Sequence, residues 1–575
     1  MLKHGITQRE WLIALGVAVA AAVTGMIPYL LGSSLVPDNL VYTHIIMNPE
    51  DAQTYWAKMW QGFNGSLRYT IPFTPEPHQG AFVGVFYVWL GYLARLFGLS
   101  LTIIWHWSRT GSAVILYIVT FRFAAEFFPG NKNARWTAYL LAIFGSGLGW
   151  FLFAIGRPYW LGAFPVDFKQ PGAHLFFTAL TYPHIITGTA LILVNMLVLK
   201  KIGDWRMETG AWRLVDNDAY GRRQWRIWLY AAVAGLANVL LGIVYPFLIY
   251  IVALTALLYW LYLCWRSRAI LWPQALMISL LFLIPAPLYL YYWQVWRTNP
   301  VFRAWAAQAG TPALPWPHYL LAYGVMLALG AWFWWRKPEE RRHFAILWLW
   351  LLAAALLLFS PLNAQRRFIQ GVHVALAVLA TAGLVLELLP RAQRTWTWIA
   401  LTTRPRYTTQ KLTRFILIFF LIFMSLSNLY LLADVTRVAA VERPYPLFRP
   451  ADELDAVNWL RENAPPTAVV LGGYETGNYV AAQAGQRVVL GHWAETVNYP
   501  EKKTAVARFF AADASDAWRT GMVRRYAVNY VWYGPQEKEL GRFNPATVPW
   551  LAPAYANDTI QIYQVVPGEN GLGSP

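Results

Sequence analysis

The sequence predicts a mostly α, polytopic transmembrane helical bundle of eleven to thirteen spans, with a C-terminal extracytoplasmic α/β domain. Three observations predict it. Hydrophobic residues make up 57% of the chain and charged residues 13%, about half the share in a soluble globular protein. The apolar residues fall in separate blocks, most of them close to the roughly 20 residues that a helix needs to cross a bilayer. The chain carries 32 Trp and 32 Tyr, whose amphipathic rings settle at the membrane–water interface.

The blocks run over 11–31, 81–98, 101–121, 137–155, 180–199, 227–244, 246–264, 272–293, 317–335, 343–359, 370–389 and 415–434. The first is too long for the apolar core of a signal peptide, so it is expected to stay as a helix with Lys3 and Arg9 on the inside. The net charge of +18 does not indicate nucleic-acid binding, because residues 441–575 hold 14 acidic and 12 basic side chains. The excess lies in the membrane part, concentrated in two loops: Lys200-Lys201 through Arg226, and Arg391 through Arg414, which has no acid. Short loops rich in Lys and Arg stay in the cytoplasm, so both are placed there.

That placement puts the C-terminal region outside and requires an odd number of crossings. Twelve blocks do not provide it. The conflict localises between 81 and 155, where one block must be split, lie in the interface or re-enter. Downstream, Pro246 after Tyr245 predicts a tight outer turn between two spans. Arg336 through Arg342 caps inner ends, and 294–316, 360–369 and everything beyond about 435 lie outside. The division expected is a membrane module, 1–440, with a large first outer loop at 32–80, followed by a soluble domain, 441–575. The lone Cys264 sits in an apolar run, which excludes an intramolecular disulfide.

The tail alternates helix and strand signals. Asp452 through Leu460 is an amphipathic helix with acids in its first turn, where the helix dipole favours them. Val469-Val470-Leu471-Gly472-Gly473, Arg487 through Gly491 and Val528 through Gly534 are strands that end in glycine. No phosphate-loop lysine accompanies those glycines, so they are turns. Thr559 through Val565 alternates and is expected to be the final edge strand.

The first outer loop carries the chemistry-bearing residues. It reads Asn48-Pro49-Glu50-Asp51, then Tyr55, Met59-Trp60-Gln61-Gly62, and Pro75-Glu76-Pro77-His78. A short helix would bring Asp51, Tyr55, Met59 and Gly62 to one face. A loop of this length and aromatic density is expected to be functional. A second cluster, Gln365-Arg366-Arg367-Phe368, sets positive charge on the outer side, against the usual bias. The planar guanidinium matches phosphate oxygens, so Arg366 and Arg367 are expected to hold a phosphate. His78, His184 and His318 each adjoin proline near an outer helix end. None shares a zinc-ligand spacing with another, so they are read as interfacial hydrogen-bonding groups. Asp167 and Lys169 fit substrate contact and a solvated loop equally well.

This combination resembles the GT-C superfamily of membrane glycosyltransferases, and more narrowly the bacterial relatives of protein mannosyltransferases and of the lipid A aminoarabinose transferase. The resemblance rests on Glu50-Asp51, Tyr55, Met59, Gly62, Glu76 and His78, together with Gln365 through Phe368. His492-Trp493-Ala494-Glu495-Thr496 also resembles members of this group, without implying chemistry. The resemblance implies a polyprenyl-phosphate sugar donor and inverting transfer outside the cytoplasmic membrane to a lipid, protein or polysaccharide acceptor. It implies that Asp51, and less directly Glu50, is the general base or a metal contact, with Tyr55, Glu76, His78 and His184 near substrate. The family's usual acid pair differs in order, and Pro75 through His78 match its next helix start only loosely. A divalent cation on Asp51 is therefore left open.

The chemistry fits the residues without the resemblance. Sugar transfer from a polyprenyl phosphate needs a base for the acceptor hydroxyl and cations for the departing phosphate, which a carboxylate and arginines supply. The competing reading is non-catalytic, as a flippase or transporter of lipid-linked sugars or a catalytically dead assembly partner. Transporters keep ionisable groups near the midplane and show repeat symmetry. Here the charges cluster at helix ends and the two halves are unalike, which favours an interfacial enzyme.

Overall fold

Seven helices among the described residues are long and apolar enough to cross a membrane, or up to nine if each of two bent pairs is one span. The computed structural model describes residues 5–205, 218–394, 397 and 408–566. The stretches 206–217, 395–396 and 398–407, which fall within the two expected cytoplasmic loops, lie outside the described residues. The spans include Gln8–Ser34, Leu101–Phe127, Pro183–Trp205 and Gln365–Arg394, and the bent pairs turn by 45° and 46°. The protein is a multi-pass membrane protein.

Three of the twelve expected blocks are not among these spans: the helix Trp316–Arg336 and two blocks in the region between 81 and 155. Phe86–Phe97 is an apolar helix of only 12 residues. The block 137–155 is split: the helix Lys132–Phe144 ends at Gly145, and a short helix resumes at Gly149–Ala154. Glycine and serine in the intervening Gly145-Ser146-Gly147 leave no apolar side chains to continue the face. The Ser146 N–H and hydroxyl both bond the Met424 carbonyl instead. Two helices at this block replace one continuous span.

The chain divides into two compact units, each discontinuous in sequence. The first contains residues up to Ile27, Trp107–Leu290 and Thr311–Asp434, and holds most of the spans. Polar side chains fasten its helices to one another. Asn195 donates to Asn238, which donates to the Leu281 carbonyl, so one amide chain ties three helices. Glu10 and Arg135 form a buried ion pair at 3.2 Å. Asp167 is buried, not solvated: it accepts from Ser427 Oγ at 2.7 Å and Gly149 N–H at 2.8 Å, and lies 3.1 Å from His174 Nε2. Those bonds stitch the broken block to its neighbours, because a buried carboxylate must fill its lone pairs.

The second unit contains Pro28–His106, Tyr291–Gly310 and the chain from Val435 onward. Strand β1 (Leu40–Tyr42) pairs antiparallel with β2 (Phe448–Pro450), joining the segment after the first span to the tail. The main sheet holds β3 (Val469–Leu471), β4 (Arg487–Val488), β5 (Tyr530–Tyr533), β6 (Leu551–Ala556) and β7 (Gln561–Val565), in the order β4-β3-β5-β7-β6. β4, β3 and β5 are parallel, and β7 runs antiparallel between β5 and β6. The expected edge strand is therefore interior. The edge beside β7 is β6, whose Pro553 cannot donate to a ladder, which restricts such a strand to an edge. Its register is also broken between Pro553 and Tyr555. The glycine ends of β3 and β5 are filled from within. Glu537 is buried and accepts from the N–H groups of Gly473 and Gly534 and from the Thr476 hydroxyl.

Candidate active site

The acidic pair stands at the start of helix α1, Pro49–Phe63. Asn48 adopts a left-handed conformation (φ 46°) and Pro49 takes the first helical position, which together fix where the helix begins. Glu50 and Asp51 then lie in the first turn, where the unpaired N–H groups favour carboxylates. α1 crosses α2, Phe86–Phe97, at backbone contact. A Cβ on Gly62 would meet the Val88 carbonyl oxygen at 1.8 Å, and one on Gly91 would meet that of Met59 at 1.8 Å. Only glycine fits at either position. Tyr55 stacks on Tyr87 with ring centroids 4.3 Å apart, which orients the helix face that carries Asp51.

The segment from His492 to Thr496 lies against that face. His492 Nε2 is 3.1 Å from Asp51 Oδ1; the histidine side chain is 6% exposed and the aspartate 43%. Two turns along α1, Lys58 donates to Glu495 at 2.8 Å, with both side chains buried. Glu495 also accepts from the Tyr69 hydroxyl. Lys58 lies 4.3 Å from the Tyr69 ring centroid and 5.3 Å from that of Trp305, so aromatic faces surround the cation. Gln308 donates to the carbonyls of Ala494 and Thr496, and Thr496 Oγ1 donates to the Phe73 carbonyl. The segment is thus fixed from three directions. His492 had no assigned role in the sequence, and its partner lies 441 positions away, so no local pattern marks it.

Glu50 accepts from the Tyr474 hydroxyl at 3.0 Å. Tyr474 opens the helix α3, Tyr474–Gln483, which packs on α1. Burial pushes the Tyr474 phenol up, and the Glu50 charge adds to that shift. Burial also pushes the neighbouring Glu475 carboxyl up, against the pull of Arg449 at 3.0 Å. Glu76 is held by Lys502 Nζ at 2.6 Å and by the Thr74 hydroxyl. Both ring nitrogens of His78 are occupied: Nε2 accepts from the Ile71 N–H at 3.0 Å, and Nδ1 lies 2.9 Å from the Glu76 carbonyl. Burial lowers its pKa, so His78 is neutral with its proton on Nδ1.

The remaining candidates belong to the first unit. Arg366 and Arg367 sit in a one-turn 3-10 helix, Gln365–Ile369, where the Arg366 N–H donates to the Thr311 carbonyl. The Arg367 guanidinium lies 5.4 Å from the Tyr245 ring centroid and 5.6 Å from that of Phe247. His184, at the start of Pro183–Trp205, meets the same Tyr245 ring edge-on at 5.0 Å. The structure therefore gathers His184 and Arg367 around one tyrosine. His318 places Nε2 2.9 Å from the Trp160 carbonyl, a hydrogen-bonding role of the kind expected.

Among the described residues, no group of three or more His, Cys, Asp or Glu side chains could hold a metal ion. Asp51 and His492 offer two donors, short of the set of oxygens that a magnesium or calcium ion takes.

No protein-family model matches the chain, and no curated protein matches its sequence. Solved structures do match. ArnT from Cupriavidus metallidurans, bound to undecaprenyl phosphate, superposes with a TM-score of 0.54 at 11% identity, covering 99% of this chain and 100% of that one. The apo oligosaccharyltransferase of Archaeoglobus fulgidus gives 0.52 at 13% identity, over 91% of this chain and 69% of that one. The arabinofuranosyltransferase AftD from Mycobacteria gives 0.51 at 14% identity, over 99% of this chain and 40% of that one. The chain has the fold of the GT-C glycosyltransferases.

Proposed function

We propose that the chain is an integral membrane glycosyltransferase that moves a sugar from a polyprenyl-phosphate donor to an acceptor outside the cytoplasmic membrane. The reading rests on one observation above the rest. In a GT-C fold, a half-exposed carboxylate at a helix N-terminus is oriented by a buried histidine. The lipid follows from chemistry together with likeness: the similar ArnT structure holds undecaprenyl phosphate.

Asp51 is the general base in this scheme. Its carboxylate takes the proton of an acceptor hydroxyl as that oxygen bonds to the anomeric carbon, while the bond from that carbon to the donor phosphate oxygen breaks. Attack opposite the leaving group inverts the anomeric centre. His492 holds the carboxylate in orientation, and Glu50 sustains the local negative field from its place on Tyr474. The departing polyprenyl phosphate carries the released negative charge, and Arg366 and Arg367 are assigned to bind it. Tyr55, Glu76, His78 and His184 are assigned to shape the substrate surroundings. No step runs through a metal. On this reading the protein sits in the cytoplasmic membrane with the tail outside.

The test is sugar transfer by purified protein in lipid nanodiscs, using synthetic polyprenyl-phosphate sugars with and without EDTA. Wild type should transfer and Asp51→Asn should not. The double variant Arg366→Gln, Arg367→Gln should raise the KM for donor by about 10- to 100-fold, as expected for lost charge-assisted hydrogen bonds. Donor binding without transfer in wild type would overturn the assignment in favour of a flippase or a dead relative. Loss on EDTA that magnesium restores would add a cation at Asp51.

A further inference from the structure

At the far end of α1 from Asp51 lies a cavity of about 740 Å³, contained within the second unit. Trp60 lines it, nine residues after Asp51 and so about 14 Å along the helix axis. Its other walls include Asn64, His78, Arg461, Gln486 and Arg487. Among the described residues that line it there is no carboxylate, and there are two arginines.

Neither arginine has a salt-bridge partner among the described residues. Arg487 donates to the carbonyls of Pro75 and Thr467, both at 3.0 Å. Arg461 contacts the Asn458 side chain and lies 5.4 Å from the Trp60 ring centroid. The lining therefore carries two guanidinium groups that are not in ion pairs among the described residues. Gln486 is 1% exposed, and its Nε2 donates to the carbonyls of Leu460 and Ala464. Those bonds fix the amide, and its Oε1 is left buried without a hydrogen-bond partner.

We infer that this cavity binds an acidic glycan, a run of sugars bearing carboxylate or phosphate groups. The aromatic and charged lining groups each match one part of such a ligand. The indole of Trp60 offers a flat apolar surface to the C–H face of a pyranose. The Gln486 amide, fixed by its two carbonyl partners, makes a rigid part of the wall. Arg461 and Arg487 meet the acidic group with charge-assisted hydrogen bonds, which are stronger than neutral ones. A concave site with a few convergent polar groups on an aromatic wall is the usual form of a small-ligand pocket. Binding here involves no bond making and stands whichever reaction occurs at Asp51.

The experiment is calorimetric titration of the full-length protein in nanodiscs with three probes: tetragalacturonate, mannose 6-phosphate and neutral maltotetraose. At least one acidic probe should bind about tenfold or more tightly than maltotetraose, and added salt should weaken that binding. Which acidic probe binds identifies the acid as carboxylate or phosphate. Arg461→Gln and, separately, Trp60→Leu should each weaken it about tenfold with the melting temperature retained. Asp51→Asn should bind as wild type does, which separates this site from the transfer chemistry. Failure of both acidic probes, equal binding of the neutral one, or wild-type affinity in whichever of the two cavity variants folds would overturn the inference.

Discussion

Two acid–base pairs tie α1 to the stretch from His492 to Glu495, and they differ in almost everything but chemistry. Lys58 and Glu495 are 4% and 2% exposed, and the carboxylate is also bound by a tyrosine hydroxyl. Asp51 keeps 43% of its side chain exposed, and its histidine partner is buried. The first pair has its charge satisfied on every side and serves to hold the segment in place. The second leaves a carboxylate at the surface with its orientation already set. Seven residues of one helix thus separate a structural carboxylate contact from one open to a substrate proton.

The sharpest test of this contrast is to remove charge at each pair and read both stability and transfer. Asp51→Asn should lower kcat for sugar transfer by about 10²- to 10⁴-fold, the range for a lost general base, with no change in melting temperature. Lys58→Met should do the reverse. It leaves Glu495 buried without its cation, and breaking a buried pair costs about 3–5 kcal/mol. A large fall in melting temperature should follow, measurable by scanning calorimetry in nanodiscs. If Asp51→Asn melts early and Lys58→Met does not, the roles assigned to the two pairs are exchanged.

His492 separates orientation from basicity. His492→Leu removes one hydrogen bond to Asp51, and kcat should fall about tenfold with little change in KM. His492→Gln sets an amide N–H near the position of Nε2 and should restore most of the rate. Equal losses in both variants would show that the imidazole does more than hold Asp51.

How much of this was readable in the chain depends on the range of the interaction. Membrane spans are local runs of apolar residues, and the helix start at Asn48-Pro49-Glu50-Asp51 is a local turn signal, so both were legible. The expected face of α1 followed from spacing as far as Asp51 and Tyr55. Its Lys58 gave no hint of burial, because the compensating Glu495 is supplied by a segment 437 positions later. His492 was hidden for the same reason. Asp167 resembled a loop acid because its partners Gly149, His174 and Ser427 converge only in the fold. Strand existence was local, but the order β5-β7-β6 was not. Alternation in β7 suggested one open side, and only the pairing with β6 makes it interior.

The smallest predicted effect concerns His44 and His78, which among the described residues make no hydrogen bond to a carboxylate. Burial holds the His44 pKa down to about 4, and burial also lowers that of His78. Both are therefore neutral in the fold. Below the ordinary value of about 6.5 the unfolded chain takes up protons that the folded unit refuses, so stability falls as pH drops from about 6.5 toward 4. The carboxylates of the unit also titrate near the lower end of that window, so the difference between variants is the quantity to measure. His44→Asn tolerates the left-handed backbone at this position (φ 58°), and His78→Gln keeps an acceptor for the Ile71 N–H. The double variant should lose less melting temperature than wild type between pH 6.5 and pH 4. An unchanged slope would mean that neither ring is protonated on unfolding in this window, and that the acid sensitivity of the unit lies with its carboxylates.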